Sequence, residues 1–326
     1  MLKDNFGRDI TYLRLAVTDR CNLRCTYCMP AEGILFAPRK EILSYEELSR
    51  LCSIYSDLGI RKIRITGGEP FLRRDLMTFL KEISERNYFD KISVTTNGTL
   101  TRPFLPELAD LGIHDFNLSL DSINKERFER ITRRNCFDEV MSCLSELTNQ
   151  PFRIKINAVM MAGVNDDDFI PLTLLALDKK IDVRFIEEMP FNGTGKTAEL
   201  IWTEVTMENK LRSFYPNMIQ MPMEPGSTSR NFVIPGFKGT VGLIAAYTRS
   251  FCGTCNRIRL TPSGEMKTCL YAQKGMNLKE MLRSGHTDDE IKIAIQSSIQ
   301  ERYRNGWEAE RDRGVEVSES MATIGG

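Results

Sequence analysis

Short apolar runs alternate with longer amphipathic stretches along the first two-thirds of the chain, and the alternation predicts its architecture. Residues 13–17, 62–66, 91–95, 115–120, 153–160 and 182–187 are short runs dominated by apolar and β-branched side chains and read as strands. Between them, apolar residues recur at helical spacing over 45–58, 76–85, 104–111, 125–131 with 137–147, and 169–178. Strand and helix in turn imply parallel strands joined by right-handed crossovers. Six such units predict an α/β fold, a partial (β/α)6 TIM-like barrel; an open doubly wound sheet is the alternative.

The pattern changes after Glu187. Residues 191–199 hold Gly193, Gly195 and small polar residues and read as a loop. Short strands follow near 231–234, 239–246 and 257–260, punctuated by Pro222, Pro225, Gly226, Pro235 and Gly236, and then helical patterns near 278–283 and 288–303. Residues 315–326 are small and polar, end in Gly325-Gly326, and read as a mobile tail. The expected division is a barrel, residues 1–190, and a C-terminal region, residues 191–326, with no internal repeat.

Composition narrows the function. The 326 residues carry 44 Lys+Arg against 44 Asp+Glu, and this zero balance argues against a general nucleic-acid binder. No apolar run approaches a membrane span and the first residues are charged, so a soluble cytoplasmic protein is expected. Nine cysteines, an odd number, argue against a disulfide framework.

Six of those cysteines fall into two clusters. Cys21-Asn22-Leu23-Arg24-Cys25-Thr26-Tyr27-Cys28 follows the first strand directly, at the end where barrels place their chemistry. Three thiolates within eight residues suit three corners of a 4Fe–4S cubane and leave the fourth iron open to an exogenous group. Zinc is the alternative, but it needs four ligands, and His114 and His286 are both distant. Cys252, Cys255 and Cys269 form a second trio. Here a zinc ribbon competes more strongly, although a fourth cysteine at matching spacing is missing. Cys52, Cys136 and Cys143 fall in helical patterns and read as core thiols.

Further groups gather at strand ends. Gly67-Gly68-Glu69-Pro70 follows the second strand, where glycines let a ligand approach the backbone and Glu69 can accept from an ammonium group. Thr95-Thr96-Asn97-Gly98 and Ser119-Leu120-Asp121-Ser122 put hydroxyl and amide groups at the ends of the third and fourth strands; helix capping is their plainer reading. Basic residues sit inside otherwise apolar strands: Arg14, Lys62, Arg64, Arg153, Lys155, Arg184, Arg257 and Arg259. Arginine and lysine are rarely buried unpaired, so the set predicts a shared counter-charge such as a triphosphate, against the alternative of local Asp or Glu partners.

The C-x3-C-x2-C spacing, with Tyr27 before the last cysteine, resembles the radical S-adenosylmethionine (SAM) signature. In that superfamily the open iron chelates SAM, and reduction cleaves it to a 5′-deoxyadenosyl radical. With the second trio stand Phe6-Gly7-Arg8, Thr18-Asp19-Arg20-Cys21-Asn22, Tyr27-Cys28-Met29-Pro30, Arg64-Ile65-Thr66-Gly67-Gly68-Glu69-Pro70 and Gly325-Gly326. Together they resemble the GTP 3′,8-cyclase family of molybdenum-cofactor biosynthesis from about Phe6 to Gly326. The resemblance implies a radical SAM barrel with a C-terminal extension carrying a second 4Fe–4S cluster. It implies SAM and GTP as substrates and (8S)-3′,8-cyclo-7,8-dihydroguanosine 5′-triphosphate as product, with 5′-deoxyadenosine and methionine.

By the same resemblance, Cys21, Cys25, Cys28, Cys252, Cys255 and Cys269 are the iron ligands. Tyr27, Gly68, Glu69, Ser119 and Met189 hold SAM. Arg14, Arg64, Thr95, Lys155, Arg184, Arg257 and Arg259 hold GTP, and Gly325 and Gly326 enter the active site. Implied partners are a downstream cyclic pyranopterin monophosphate synthase, a flavodoxin or ferredoxin as electron donor, and a second copy in a homodimer. Two other readings stay open: another radical SAM enzyme with an auxiliary cluster, such as a peptide-modifying maturase, and a non-enzymatic zinc-binding interaction protein.

Overall fold

The computed structural model describes residues 2–194, 200–273, 275–315 and 317–326; residues 195–199 of the expected loop lie outside them. The first part of the chain runs β1 (Tyr12–Ala16), α1 (Tyr45–Asp57), β2 (Lys62–Thr66), α2 (Leu76–Glu85), β3 (Lys91–Thr96), α3 (Leu105–Asp110), β4 (Asp115–Ser119), α4 (Lys125–Thr132), α5 (Phe137–Asn149), β5 (Arg153–Met160), α6 (Phe169–Leu174) and β6 (Ile181–Glu187). All six strands expected in this part are present, within one residue of their expected bounds. The second part runs α7 (Glu204–Phe214), β7 (Ile219–Gln220), β8 (Ser229–Val233), β9 (Thr240–Ile244), β10 (Arg257–Leu260), β11 (Glu265–Lys267), β12 (Met276–Asn277), α8 (Leu278–Arg283), α9 (Asp288–Gln300), α10 (Gly306–Arg313) and α11 (Met321–Ile324).

All twelve strands join one sheet, in the order β12-β11-β10-β1-β2-β3-β4-β5-β6-β9-β8-β7. The segment from β10 to β9 is parallel throughout, and antiparallel strands cover its two edges. The expected six-stranded unit is therefore extended on both sides by C-terminal strands. Arg14 on β1 lies in register with Arg259 on β10, and Arg184 on β6 with Gly242 on β9. The division expected near residue 190 is no break in the sheet.

Alternation along each strand explains the curvature. One face of the sheet is apolar and fully buried, with Leu13, Leu15, Ile63, Ile65, Val94, Phe116, Ile154, Ile156, Val183 and Phe185 in the main core beneath the helices. The opposite face turns inward. Arg14, Arg64, Thr95, Ser119, Asn157, Arg184, Ile244 and Arg257, one from each of the eight parallel strands, line a single cavity. An open sheet whose strands all face one cavity is a partial barrel. The flanking helices are locally encoded. Ser44 and Glu47 form a capping box on α1, and Asn124 caps α4 by accepting from the Arg127 amide; such caps stabilise by about 1 kcal/mol each.

Within the expected tail, residues 317–326 pack against the fold. They form the helical turn α11, capped by Ser320, and bury Val317, Ala322 and Ile324; Val317 and Ile324 join a small second core with Phe191, Tyr271 and Ala309. Among the described residues no helix is long and apolar enough to cross a membrane.

Candidate active site

The first cysteine trio lies on the loop that leaves β1. The C-terminal end of α4 holds that loop through its backbone. Thr132 and Ile131 carbonyls accept from the Arg24 and Thr26 amides at 2.9 and 3.0 Å. Arg133 donates back to the Arg24 and Met29 carbonyls at 2.9 and 3.0 Å. Cys21, Cys25 and Cys28 line the cavity with free thiols. Burial pushes all three thiols up, Cys21 to about 12, and Asp121 adds to the rise at Cys25 and Cys28.

Gly67 and Gly68 make this packing possible. A Cβ at Gly67 would lie 2.3 Å from the Thr18 carbonyl oxygen, and one at Gly68 2.2 Å from that of Arg20. The glycines thus admit the strand-to-cysteine backbone, and the Gly68 and Glu69 amides donate to those same two oxygens at 2.8 Å. Gly68 also lines the cavity, but Glu69 does not. Its carboxylate turns into the fold and accepts from Thr96 Oγ1 (2.9 Å), the Asn97 amide (2.7 Å) and the Phe71 amide (3.2 Å). Burial raises its pKa to about 7 against the pull of those donors. Its oxygens orient the Asn97 turn, and Asn97 Nδ2 reaches Asn22 Oδ1 at 2.9 Å on the cysteine loop. Tyr27, Ser119 and Met189 are on the cavity wall as expected. Tyr27 donates to Asp121 Oδ2 at 2.9 Å, and burial lifts Asp121 to about 6.

Cys252, Cys255 and Cys269 line the far side of the same cavity. Burial pushes Cys252 and Cys269 up as well, but Cys255 departs from the pattern. Burial alone would push Cys255 up, but Arg257 and Arg302 bring its thiol down to about 6. Arg302 Nη2 stands 3.0 Å from Cys255 Sγ. Among the described residues, no three His, Cys, Asp or Glu side chains close around one point as a single ion requires.

Between the trios lies the basic wall. Arg14, Arg64, Arg184, Arg257 and Arg259 all line the cavity. Among the described residues none of the five has a carboxylate within ion-pair distance, whereas many surface arginines do. Buried nitrogens of Arg14, Arg64, Arg184 and Arg257, and the hydroxyl of Thr95, have no hydrogen-bond partner. Burial and the mutual repulsion of the set push Arg14 well below its ordinary pKa and Arg259 down to about 10. Tyr12, buried among them, is drawn down to about 8 against the effect of burial. A cavity that keeps this much uncompensated cationic density is built for a polyanion.

Three basic residues depart from the expected set. Lys155 is not on the cavity wall; its register partners are Asn117 and Asp182, one layer below the Asn157–Arg184 pair, and burial beside Arg184 lowers it to about 8. Arg153 leaves the cavity to pair with Asp115. Lys62 lies over the Tyr12 ring, 4.5 Å from its centroid.

Gly326 lines the cavity. The Gly325 carbonyl accepts from Arg259 Nη1. Gly325 has φ +84° and leaves no room for a side chain, since a Cβ would sit 2.8 Å from that of Ala16 and 2.9 Å from Thr66 Oγ1. Ser320 donates to the Cys28 carbonyl at 2.7 Å, so the tail touches both the first trio and the basic wall.

Sequence reasoning missed several wall residues. Arg249, with φ +60°, stacks on Tyr271 and Trp307 at 3.5 and 3.8 Å and pairs with Glu310. Glu187 is fully buried and accepts from the Glu204, Tyr247 and Thr248 amides, tying the end of β6 to the approach to Cys252. A buried carboxylate at a strand end was the one available signal for Glu187; Arg249 and Arg302 stood in polar segments that gave none.

Comparison with known proteins agrees with this geometry. Residues 15–176 match the family model described as the radical SAM superfamily, and residues 181–307 that described as Molybdenum Cofactor Synthesis C. The chain is 39% identical to the GTP 3′,8-cyclase of Desulforamulus reducens over 99% of both chains. It is also 39% identical to that of Thermodesulfovibrio yellowstonii, over 91% of this chain and 93% of the relative. Molybdenum cofactor biosynthesis protein 1 of Drosophila melanogaster is 42% identical over 93% of this chain, which spans about half (54%) of that longer relative. In fold the chain is similar to Streptococcus suis SuiB, with a TM-score of 0.62 at 14% identity, over 89% of this chain and 68% of that one.

Proposed function

The chain belongs to the GTP 3′,8-cyclase family of radical SAM proteins, and we propose that its cavity converts GTP and SAM to (8S)-3′,8-cyclo-7,8-dihydroguanosine 5′-triphosphate, 5′-deoxyadenosine and methionine. The observation that carries this reading is the basic wall: five arginines without carboxylate partners, set between two cysteine trios in one cavity.

The donors fit the groups the reading requires. Each trio supplies three free thiols, one short of the four ligands of a structural zinc site and suited to three corners of a 4Fe–4S cluster. Cys21, Cys25 and Cys28 would hold a 4Fe–4S cluster, and Cys252, Cys255 and Cys269 a second one in the C-terminal extension. When bound, the first cluster supplies the electron that cleaves SAM.

The chain's own residues do the rest. Tyr27, Gly68, Ser119 and Met189 line the SAM side of the cavity, with Glu69 acting on it through Asn97. Arg14, Arg64, Arg184, Arg257 and Arg259, with Thr95, receive the GTP triphosphate and sugar, where charge-assisted hydrogen bonds are strong. Lys155 contributes field from below rather than contact. Gly325 and Gly326 fill the space between Arg259 and the substrate and exclude water. Residues 1–190 supply the SAM side and part of the basic wall, and residues 191–326 the rest of that wall and the second cluster site, within one sheet. We further assign a flavodoxin or ferredoxin as electron donor, a cyclic pyranopterin monophosphate synthase as consumer of the product, a homodimer and a cytoplasmic location.

The test is anaerobic incubation of the iron-loaded protein with SAM, dithionite and each nucleoside triphosphate in turn, with products followed by mass spectrometry. GTP alone should yield a cyclised triphosphate together with 5′-deoxyadenosine. Equal turnover of ATP or CTP, or 5′-deoxyadenosine without any nucleotide product, would reject the assignment.

A further inference from the structure

The segment before β1 reaches the second cysteine site, on the opposite edge of the first strand. Asp4, Phe6 and Arg8 form a tight turn there. Asp4 Oδ1 accepts from the Phe6 and Arg8 amides at 3.0 and 2.9 Å, and Gly7 closes the turn at φ +77°. Arg8 then spends its guanidinium on backbone. It donates to the Cys252 carbonyl (2.9 Å), the Arg304 carbonyl (2.8 Å) and the Tyr303 carbonyl (2.7 Å). Arg302 does the same one loop further on, donating to the Cys255 carbonyl (2.9 Å), the Arg257 carbonyl (3.0 Å) and Cys255 Sγ (3.0 Å). Asp4 Oδ2 lies between the two arginines, 2.6 Å from Arg8 Nε and 3.5 Å from Arg302 Nη1. The side chains are only 0% (Asp4), 3% (Arg302) and 8% (Arg8) exposed, so solvent screens none of these contacts.

Two features separate this cluster from ordinary packing. The carbonyls of Cys252 and Cys255, at the two ends of the short turn Cys252–Thr254, are each taken by a guanidinium from a distant segment rather than left to solvent. The cluster is also unbalanced: two buried guanidiniums share one carboxylate, which leaves a positive charge facing the Cys255 sulfur. Buried charge of that kind is costly unless an anion answers it.

We propose that Asp4, Arg8 and Arg302 are positioning residues of the second cysteine site, fixing the carbonyls of Cys252 and Cys255 and giving the Cys255 sulfur a charged N–H donor. The segment before β1 is then part of that site. This rests on the reading that Cys252, Cys255 and Cys269 hold an iron–sulfur cluster. Hydrogen bonds and charge beside the sulfurs set a cluster's potential, and outer partners of ligands govern metal loading.

The test uses the full chain, reconstituted anaerobically, with iron and sulfide analysis and an EPR-monitored redox titration. The parent protein should hold about eight irons, four per cubane. Arg302→Met should lose much of the second cluster's iron, and the fraction retained should titrate at a more negative potential. Arg302→Lys, which keeps the charge, should recover part of the shift. Asp4→Asn, which keeps the shape, should weaken loading, and it carries the test if Arg302→Met does not fold. A parent protein with only about four irons would instead reject the underlying cluster reading. A parent with eight, alongside Arg302→Met or Asp4→Asn variants of unchanged iron content and unchanged potential, overturns the proposal.

Discussion

The two cysteine sites share a cavity but not an electrostatic setting. At Cys21, Cys25 and Cys28 burial raises the thiol pKa, and nearby carboxyl groups act in the same direction, Glu69 at Cys21 and Asp121 at Cys25 and Cys28. At Cys252, Cys255 and Cys269, burial is opposed by arginine, and at Cys255 arginine wins. The first trio therefore becomes anionic only when a metal brings its own charge. The second stands beside cations that already favour an anion, and the same cations continue into the wall of Arg14, Arg64, Arg184 and Arg259. One end of the cavity is arranged for a cationic ligand such as SAM and the other for a polyanion.

The largest expected effects separate the two sites outright. Alanine at Cys21, Cys25 or Cys28 should abolish SAM cleavage and remove about half the iron, half being one cubane of two. Alanine at Cys252, Cys255 or Cys269 should remove the other half and stop GTP conversion. Full SAM cleavage by a Cys25→Ala protein would break the comparison at its first term.

The basic wall comes next. Arg184→Ala should weaken GTP binding by tens-fold, since a charge-assisted hydrogen bond is worth about 1.5–3 kcal/mol. SAM binding and iron content should stay at parent levels. Equilibrium dialysis with each ligand checks both halves, and an equal loss for SAM would show that the charge division is not real.

Thiol reactivity sharpens the contrast within the metal-free protein. With Cys255 near 6 and Cys21 near 12, iodoacetamide at pH 7 should label Cys255 about tenfold faster or more, because the thiolate is the nucleophile. Peptide mapping over time reads the ratio; comparable rates would mean that the arginines do not govern the second site.

Gly325→Ala has a smaller expected effect. The side chain would collide with Ala16 and Thr66 at a left-handed backbone position, a strain of about 1–3 kcal/mol. Turnover should fall while both clusters remain loaded, and a variant as fast as the parent would remove the tail from the substrate end of the cavity.

The smallest effect is on stability against pH. Glu69 and Asp121 sit at about 7 and about 6 in the fold, above their ordinary values of 4.5 and 3.8. A raised carboxylate pKa means that the folded state holds its proton more tightly. That contribution is complete below pH 4 and is lost as pH rises through 6 and 7. Denaturant midpoints of the metal-free protein should therefore fall between pH 5 and pH 7.5, and Glu69→Gln should flatten the trend. A midpoint that rises over this interval would contradict both environments.

The sequence carried the sheet and the contents of the site further than it carried their depth. Strands were readable because their outer faces are continuously apolar, and the cysteine loops because spacing alone constrains three thiols. Alternation tells which face a side chain takes but not how far down the barrel it lies. Lys155 has the same two-residue spacing to Asn157 that Lys62 has to Arg64, yet inter-strand register puts it a layer below the cavity. Nothing local to Glu69 shows that three donors converge on its carboxylate from Phe71, Thr96 and Asn97. The tail misled through hydropathy: Gly325 and Ala322 bury themselves by close approach, which small residues do without being hydrophobic. Helices α7 and α10 escaped notice because each buries so little, Met207 and Leu211 in one and Gly306, Ala309 and Arg313 in the other.

The pairing of β1 with β10 has a further consequence, for the order of events in assembly. Tyr12 is synthesised well before its register partner Arg257, which lies far along the chain. Pairing across such a contour length slows folding and leaves a sheet edge open meanwhile. Cys21, Cys25 and Cys28 are thus synthesised long before the cavity that shelters them has its second wall. Iron delivered during translation would meet three thiols on a half-built rim, open to oxygen and to the solvent. The topology makes the seating of β10 against β1 the step that closes the cavity around both cysteine trios.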